Sequence, residues 1–539
     1  MSFGRAIALI GGWTMLSRLL GFARDVAIAA LAGAGPVADA FFIALKLPNL
    51  FRRLFAEGAF ASAFVPLFAR ARREGGDAEA AAFAREAQGA LLAVLAPFVV
   101  AGIAAMAWIV PLVAPGLASK PPETLSFAIE FSRIAFPYLL FISLASLYAG
   151  ILNSLDRYGH AAASQVLFNL SLIGALFALT PFLPNAGYAL SWGLCLAGVA
   201  QWLWLLVACR QAGVALPLAF PRLTARVRRL LTLALPAAVG AGVQQINLVL
   251  EIVWASLLPT GAISVLYYAD RINQLPLGVV GVAIGTALLP RLARLIRDDQ
   301  AAGAMHSQNR AVEFGLLFSL PAAVALAVVA WPVIATLFLR GQFTAEDARR
   351  TAEALTVFAL GLPAFILTKT LAPGFFARED TATPLKIAVF CISLNIALNL
   401  LFITLPERGL MPRLEHVGVA LASSVAGWFN AVLMWLVLRR RGHFHVDARL
   451  AARGPRIALA ASLMGATLWA AMAWTPLGGA FDAGGAGRWL ALLILCGGGG
   501  AAFVAFGAAL GVIRPVEIRG LLRRDRTLPP DPRDTTPLE

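Results

Sequence analysis

The sequence predicts an all-α integral membrane protein of about 14 transmembrane helices. Three observations support this fold class. Hydrophobic residues make up 60% of the 539 positions and charged residues only 14%, whereas soluble domains have roughly 45–50% and 25%. Apolar stretches of about 18 or more residues recur along the whole chain. Lys and Arg are concentrated in alternate loops between these stretches, as in polytopic membrane proteins.

The apolar stretches define the predicted spans in chain order. The first contains Arg18 and Arg24, which a cleaved signal peptide would not carry there, so we expect a retained helix. Spans 1, 2 and 8 are the least apolar because they contain charges. The spans are 6–30, 37–67, 86–114, 127–153, 161–182, 187–209, 230–257, 263–293, 311–338, 352–373, 384–404, 416–438, 455–474 and 488–512.

The loops differ in charge according to the side of the membrane on which they would lie. Loops after odd-numbered spans hold few Lys or Arg, whereas the other side carries the basic runs 70–73, 226–229, 439–441 and 519–526. The positive-inside rule therefore predicts that both termini are cytoplasmic. It also accounts for the formal net charge of +15, so we expect no nucleic-acid partner.

An internal repeat divides the chain. Residues 66–74 resemble residues 290–298, and the same offset of 224 residues relates Gly150 to Gly374 and Asp156 to Asp380. Both matched pairs lie on the same predicted side, which indicates parallel repeats. The predicted domains are an N-lobe of spans 1–6 (1–225), a C-lobe of spans 7–12 (226–445), two extra helices, spans 13 and 14 (446–513), and a disordered cytoplasmic tail (514–539).

Charged residues within the membrane are concentrated in spans 1, 2 and 8. At 100° per residue, Asp39, Lys46, Arg53 and Glu57 fall within about 40° of one another, with Arg52 beside them. They therefore form one polar stripe on span 2.

The intramembrane charges are predominantly positive. Six cations would cost roughly 15–20 kcal/mol if they all faced lipid, so they must line a hydrated cavity or pair with acids. If four acids pair with four of these cations, about two positive charges remain. This excess favours an anionic ligand and suits phosphate. Salt bridges between helices are an equally good interpretation of Asp25, Asp270 and Glu57. The cations are Arg18, Arg24, Lys46, Arg52, Arg53 and Arg271, and the acids are Asp25, Asp39, Asp270 and Glu57.

Several kinds of site have no sequence signal. The four cysteines form no C-x-x-C pair, so neither a metal site nor a disulfide framework is predicted. The sequence has no P-loop motif, which excludes ATP hydrolysis by that route. We expect no cofactor, and uphill transport would draw on a monovalent ion gradient or the membrane potential.

Five segments resemble the MurJ (MviN-type) lipid II flippases of the multidrug/oligosaccharidyl-lipid/polysaccharide exporter superfamily. The likeness extends from span 1 to span 14, and the first three segments form two long, specific motifs. The segments are 17–25 (SRLLGFARD), 39–42 (DAFF), 46–60 (KLPNLFRRLFAEGAF), 267–271 (YYADR) and 371–376 (LAPGFF).

The resemblance implies a transporter of peptidoglycan biosynthesis in the bacterial inner membrane. It would flip undecaprenyl-diphosphate-linked lipid II to the outer leaflet by alternating access through a central cationic cavity. Spans 13 and 14 would form a lipid-tail groove. Substrate-binding residues would be Arg18, Arg24, Asp39, Lys46, Arg52, Arg53 and Arg271, supported by Ser17, Asp25, Glu57 and Asp270.

Other functions fit the sequence less well. A flippase for another polyprenyl-linked glycan, of the O-antigen or exopolysaccharide type, would have a similar cationic cavity. A drug or organic-cation exporter would need an excess of acid, and a membrane enzyme of lipid-linked sugars usually has larger loops. We therefore expect a transporter rather than an enzyme, with membrane lipids and peptidoglycan-synthesis proteins as candidate partners.

Overall fold

The computed structural model describes residues 3–53, 59–217, 224–407, 414–483 and 485–513, and within these ranges it is helical and contains no strand. The predicted all-α fold class is confirmed. The α-helices are α1 (Phe3–Ala32), α2 (Pro36–Arg52), α3 (Ala59–Ala104), α4 (Met106–Val113), α5 (Pro122–Ala135), α6 (Tyr138–Ser154), α7 (Tyr158–Leu179), α8 (Ala186–Gln211), α9 (Ala225–Ser256), α10 (Ala262–Pro276), α11 (Val282–Arg297), α12 (Ala301–Val328), α13 (Ala330–Phe338), α14 (Ala345–Phe376), α15 (Ala382–Glu407), α16 (Glu415–Arg440), α17 (Ala448–Trp474), α18 (Ala480–Ala483) and α19 (Gly487–Ala509).

The helices account for the predicted membrane spans. Eleven helical segments in the described part of the chain are long and apolar enough to cross a membrane, and they match predicted spans 3–6 and 8–14. α1, α2 and α9 occupy the positions of spans 1, 2 and 7. With 17 residues, α2 is only about 26 Å long, somewhat less than the roughly 30 Å hydrocarbon core. Together, the eleven segments and these three helices give the fourteen predicted spans.

The outer surface of the helices is apolar. Leu112 is 78% exposed and Phe182 is 84% exposed, whereas Arg24, Asp25 and Asp39 are buried. In water this distribution would be unfavourable, but in a bilayer the apolar side chains contact hydrocarbon and the charges are kept away from it. The chain is therefore a multi-pass membrane protein.

The chain forms two compact units. The first comprises residues 1–264 and 340–344, and the second comprises residues 265–339 and 345–539. In the first, α1 packs against α7, α2 against α5, and α3 against α6 and α9; in the second, α14 packs against α12 and α16, and α17 against α12 and α19. This division places α9 with the first unit, and the predicted domain boundaries at 225 and 445 stay predictions.

Backbone geometry repeats between the two halves. Gly76 and Asp299 end helical segments with positive φ angles of 74° and 55°, and Asp156 and Glu379 do so with 58° and 61°. Both pairs are 223 residues apart, one fewer than the sequence offset. Arg53 is also π-helical in conformation, as is the turn that begins at Leu277, and these two positions are 224 residues apart. The parallel repeat is therefore visible in local conformation as well as in sequence.

Predicted span 2 (37–67) falls on α2, which ends at Arg52, and on the first part of α3, which begins at Ala59; residues 54–58 lie outside the described residues. α3 continues through the predicted loop at 70–73. The chain direction changes only at Gly76, inside α3, where the positive φ of 74° suits glycine. The basic residues at 70–73 end the apolar run, which predicts a loop, but they also have good helix propensity and continue the helix.

Candidate functional site

Arg24 is buried between α1 and α7. Its Nε and Nη2 atoms donate to Oδ1 of Asp25 at 3.0 and 2.6 Å, and Nη1 donates to Oδ1 of Asn169 at 3.0 Å. The guanidinium carbon lies 5.5 Å from the ring centroid of Phe168. Asn169 in turn donates to the carbonyl and hydroxyl oxygens of Ser17, at 3.0 and 3.2 Å. This buried network ties α1 to α7, and Asp25 compensates the charge of Arg24.

Asp39 is fully buried and accepts hydrogen bonds from the start of α10. Its Oδ2 accepts from the backbone N–H of Gly261 at 2.7 Å, and Oδ1 accepts from the N–H and hydroxyl of Ser264 at 2.9 and 2.6 Å. Nζ of Lys120 lies 3.7 Å from Oδ2. A carboxylate at this position satisfies otherwise unbonded N–H groups and interacts favourably with the helix dipole. Asp39 thus acts as an N-cap supplied by a different helix, α2.

Lys46 forms an ion pair with a residue of α9. Its Nζ lies 3.4 Å from Oε2 of Glu251, and the two side chains are 25% and 32% exposed. Asp39 and Lys46 lie on the same face of α2, so the predicted polar stripe is directed toward α9 and the start of α10. Arg53 continues the stripe with an exposed side chain. Glu57, its fourth predicted member, lies outside the described residues.

Arg52 and Arg53 stand where α2 ends. Nε of Arg52 donates to Oδ1 of Asn49 at 3.1 Å, and Nδ2 of Asn49 donates to the carbonyl oxygen of Leu45 at 2.8 Å. These contacts within α2 restrict the Arg52 side chain. Arg53 itself is π-helical in conformation, a feature that is frequent at functional sites. Two guanidinium groups therefore lie at the end of α2.

The second unit carries charged residues near a π-helical turn in span 8. Asp270 and Arg271 are half-buried on α10, and Gln274 donates to Asp270. The π-helical turn follows directly after α10. Its Gly281 lies beside Lys369, whose Cδ is 3.0 Å from the position that a Cβ at Gly281 would occupy. Sequence alone could not connect Lys369 with this turn, since the residue is isolated in an apolar span.

Some residues of the first unit were not predicted from sequence. Asn169 contacts Arg24, Glu251 contacts Lys46, and Lys120 contacts Asp39. Glu251 had a usable signal, because it is a lone carboxylate in an apolar segment. Asn169 is one polar residue among several in span 5, and Lys120 lies in a predicted loop, so neither was distinguishable.

The charges in the first unit favour an anion. The six cations named in this unit outnumber the three carboxylates named with them, which leaves an excess of three positive charges within this set. The charged residues of α1 and α2 are thus predominantly cationic. The cations are Arg18, Arg24, Lys46, Arg52, Arg53 and Lys120, and the acids are Asp25, Asp39 and Glu251.

Among the residues that the structure describes, no group of three or more His, Cys, Asp or Glu side chains could hold a metal ion. Cys209 and Cys391 are buried, Cys195 is half-buried and Cys496 is exposed. The polar chemistry of the described site therefore rests on guanidinium, ammonium, amide and carboxylate groups.

Comparison with known proteins identifies relatives over most of the chain. The family model described as "Lipid II flippase MurJ" matches residues 28–482. A protein of Rhizobium meliloti (strain 1021), named "Probable lipid II flippase MurJ", is 47% identical over 478 residues, which cover 88% of each chain. "Lipid II flippase MurJ" of Burkholderia cenocepacia is 36% identical over 450 residues, 82% of this chain and 85% of that protein.

Solved structures show the same fold. "Lipid II flippase MurJ, inward closed conformation" superposes with a TM-score of 0.76 at 24% identity, covering 96% of this chain and all of that chain. An inward-facing multidrug resistance transporter of the MATE family and MOP superfamily has a TM-score of 0.66 at 16% identity and covers 81% of this chain and 98% of its own. The family model and the relatives together show that the chain belongs to the lipid II flippase MurJ family.

Proposed function

We propose that the protein flips lipid II, the undecaprenyl-diphosphate-linked peptidoglycan precursor, from the inner to the outer leaflet of the bacterial inner membrane. Family membership supports this substrate, and the observation that carries it is the cationic excess on α1 and α2. A diphosphate is a dense anion that arginine side chains bind through paired N–H donors. The protein would act as a transporter rather than as an enzyme.

The geometry favours different roles for the candidate residues. Arg24 and Asp39 are buried and bonded to α7 and α10, so they would hold helices in place in the present conformation. Arg18 and Arg53 have exposed side chains, and Arg52 and Arg271 are half-buried. We assign initial diphosphate contact to these four arginines, while Lys46 would set the local charge together with Glu251.

A π-helical turn in span 8 suggests how alternating access operates. The turn at Leu277–Gly281 lies inside one long helical segment, Ala262–Arg297, after Arg271. Helices bend at π-helical turns, and such turns are frequent at functional sites. Movement at this turn would change access to Arg271, and the energy would come from the membrane potential or a monovalent ion gradient. No bound cofactor is part of this proposal.

Leaflet-resolved labelling of lipid II tests the substrate. Cells depleted of their own flippase would express the wild type or Arg18→Gln, Arg53→Gln or Arg271→Gln, and outward lipid II would be quantified. We expect the wild type to restore outward lipid II and each variant to reduce it at least about tenfold, since losing a charged contact costs roughly 1.5–3 kcal/mol. Arg133→Gln is the matched control, because Arg133 is an exposed arginine on α5.

The same cells distinguish the alternative substrate. If the wild type reaches the membrane but moves no lipid II, the substrate assignment is wrong, and labelling of other polyprenyl-diphosphate glycans follows. If the Arg133 variant is as defective as the others, the loss reflects general charge removal and not a diphosphate site. Reconstitution with an imposed potassium-diffusion potential, with and without sodium, then identifies the driving force.

A further inference from the structure

An apolar groove runs along the outside of the second unit, and the proposed transport site does not include it. α12 and α14 pack together and form its floor. α16 packs against α14 and α17 packs against α12, so these two helices form the walls. The loop that contains Phe444 and Val446 closes one end, and the groove has a volume of about 280 Å³.

The lining of the groove is almost wholly apolar. Trp428, Val432 and Trp435 come from α16, and Leu450 and Gly454 come from α17. Trp428 is 39% exposed and Val432 is 43% exposed, so the groove opens sideways on the surface of candidate membrane spans. The smallest typical pockets for small-molecule ligands have a volume of roughly 300 Å³. The space therefore suits a length of hydrocarbon chain and is too small for a glycopeptide headgroup.

The rim of the groove at its closed end is cationic. Cζ of Arg439 lies 5.4 Å from the ring centroid of Trp435, so the rim adjoins the apolar wall. Arg439 and Arg440 are exposed, and neither forms an ion pair within the described ranges. A phosphate at the membrane surface would meet the guanidinium group of Arg439 here, and Arg440 is the next exposed residue along α16.

Arg441 is held elsewhere. Its Nη1 donates to Oδ2 of Asp380 at 2.6 Å and its Nη2 donates to the hydroxyl oxygen of Thr383 at 3.0 Å. Hydrogen bonds from Thr383, with the adjacent Arg441, hold the pKa of Asp380 well below its usual range. Asp380 is therefore charged at neutral pH and compensates Arg441, which leaves Arg439 and Arg440 as the rim cations of α16.

Carboxylates near the opposite wall are bonded to arginines. Arg453 donates to Glu313 at 2.5 Å, Arg449 lies 3.3 Å from the same carboxylate, and Arg310 bonds both Glu313 and Asp447. The negative charges of Glu313 and Asp447 are therefore compensated near the groove.

We propose that the groove binds one acyl chain of an anionic glycerophospholipid, with its phosphate at Arg439 and Arg440. The apolar lining matches the hydrocarbon, and the cationic rim matches the headgroup. No residue of α19 lines the groove, so it differs from the lipid-tail groove that the resemblance implies at spans 13 and 14. The proposal does not depend on lipid II transport.

Tryptophan fluorescence tests this site directly. The chain has 12 tryptophans, so the fluorescence of the groove must be separated from that of the others. It is obtained by subtracting the fluorescence of the Trp428→Phe/Trp435→Phe protein from that of the protein with both native tryptophans. The purified full chain is reconstituted in phosphatidylcholine vesicles containing increasing fractions of dibrominated phosphatidylglycerol or dibrominated phosphatidylcholine. We expect brominated phosphatidylglycerol to quench half of the groove fluorescence at a mole fraction at least about fivefold lower than brominated phosphatidylcholine requires. The reason is that each arginine near an anionic lipid contributes about 1 kcal/mol.

Two variants separate the groove from bulk lipid. Gly454→Leu fills the groove from a position where an added Cβ has no neighbour within 4 Å, and Gly174→Leu on α7 is a matched control with the same open surroundings. Gly454→Leu should abolish the quenching at low mole fraction, and Gly174→Leu should retain it. Arg439→Gln/Arg440→Gln should abolish the preference for phosphatidylglycerol.

Three outcomes would overturn the proposal. Equal quenching by both lipids in the wild type would mean that the tryptophans sample ordinary bilayer lipid. Unchanged quenching in a stably folded Gly454→Leu protein would place the lipid outside the groove. A headgroup preference that survives loss of both arginines would assign the anion to another surface.

Discussion

Arg24 and Lys46 are both cations in predicted membrane spans, and each is compensated in a different way. Arg24 is buried and bonds the adjacent Asp25, so this pair can form within α1 alone. Lys46 is a quarter exposed and depends on Glu251 of another helix. Removing one partner of a buried pair leaves the other charge uncompensated, whereas replacing both together is much less costly.

The Lys46–Glu251 pair predicts a rescue experiment. Lys46→Glu and Glu251→Lys should each lower thermal stability, because two like charges then meet at about 3–4 Å. The double variant restores opposite charges and should recover most of the loss. The coupling energy of the cycle, measured from melting of the purified protein, should be roughly 1 kcal/mol or more.

A second cycle on α3 provides the reference. Arg70 and Glu74 form an ion pair whose side chains are 52% and 63% exposed, so their charge exchange should couple by less than about 0.5 kcal/mol. If both cycles give the same small value, the pair between α2 and α9 has no special importance.

Asn169 should position Arg24. Asn169→Leu deprives Arg24 of one acceptor and Ser17 of a donor, which should cost about 1–3 kcal/mol in stability and lower lipid II transport. Gln165→Leu, one turn earlier on α7 with an exposed side chain, should have little effect. Asn169→His, which can still supply an acceptor nitrogen, should recover part of the activity; no recovery would indicate a packing role alone.

The sequence was sufficient to predict which charged residues lie in the membrane spans. It was not sufficient to predict most of the residues that contact them. Charges are rare in apolar spans, so Arg18, Arg24, Lys46 and Arg53 were identifiable from sequence alone. Partners depend on tertiary packing, and Asn169 lies 145 residues from Arg24. An amide of this kind resembles any other polar residue of a helix until the helices are brought together.

At the scale of elements, a π-helical turn distinguishes span 8 from its neighbours. Sequence predicted the spans and the repeat that relates them, because hydropathy and offset are one-dimensional signals. It did not predict the turn at Leu277–Gly281, because the changed hydrogen bonding there depends on packing. The start of α10, the helix before this turn, is capped from α2 by Asp39.

The cap at Asp39 can be tested by hydrogen exchange. Asp39→Leu should increase the exchange of the Gly261 and Ser264 amides and destabilise the start of α10 by about 0.5–2 kcal/mol, whereas Asp39→Asn retains an acceptor and should have a smaller effect. Peptides covering 258–268 report the change by mass spectrometry. Peptides of α11 serve as the internal control, and equal protection in all three proteins would contradict the capping role.

At the scale of the molecule, the fourteen spans follow from the apolar segments of the sequence. The internal repeat divides the first twelve of them into two sets of six. The orientation in the membrane stays a prediction that rests on the basic loops. The charge difference between sides is large, so one consistent orientation is expected for the whole chain.

Cysteine labelling tests this orientation. In a protein without its four native cysteines, Glu123→Cys should react with a membrane-impermeant maleimide in intact spheroplasts. Arg73→Cys should react only after lysis, and both positions are exposed in the structure. Labelling of Arg73→Cys in intact, sealed spheroplasts would reverse the predicted topology.

The contacts of α2 have a consequence for biosynthesis. Asp39 and Lys46 are joined to Gly261, Ser264 and Glu251, and the Lys46 partner is encoded 205 residues later. At about 5–20 residues per second, the ribosome completes that distance in roughly 10–40 s. During this interval α2 carries charges without their final partners. Lys46 therefore waits for α9 and Asp39 for the start of α10, so the second span of the nascent chain acquires these partners only when the seventh and eighth spans emerge.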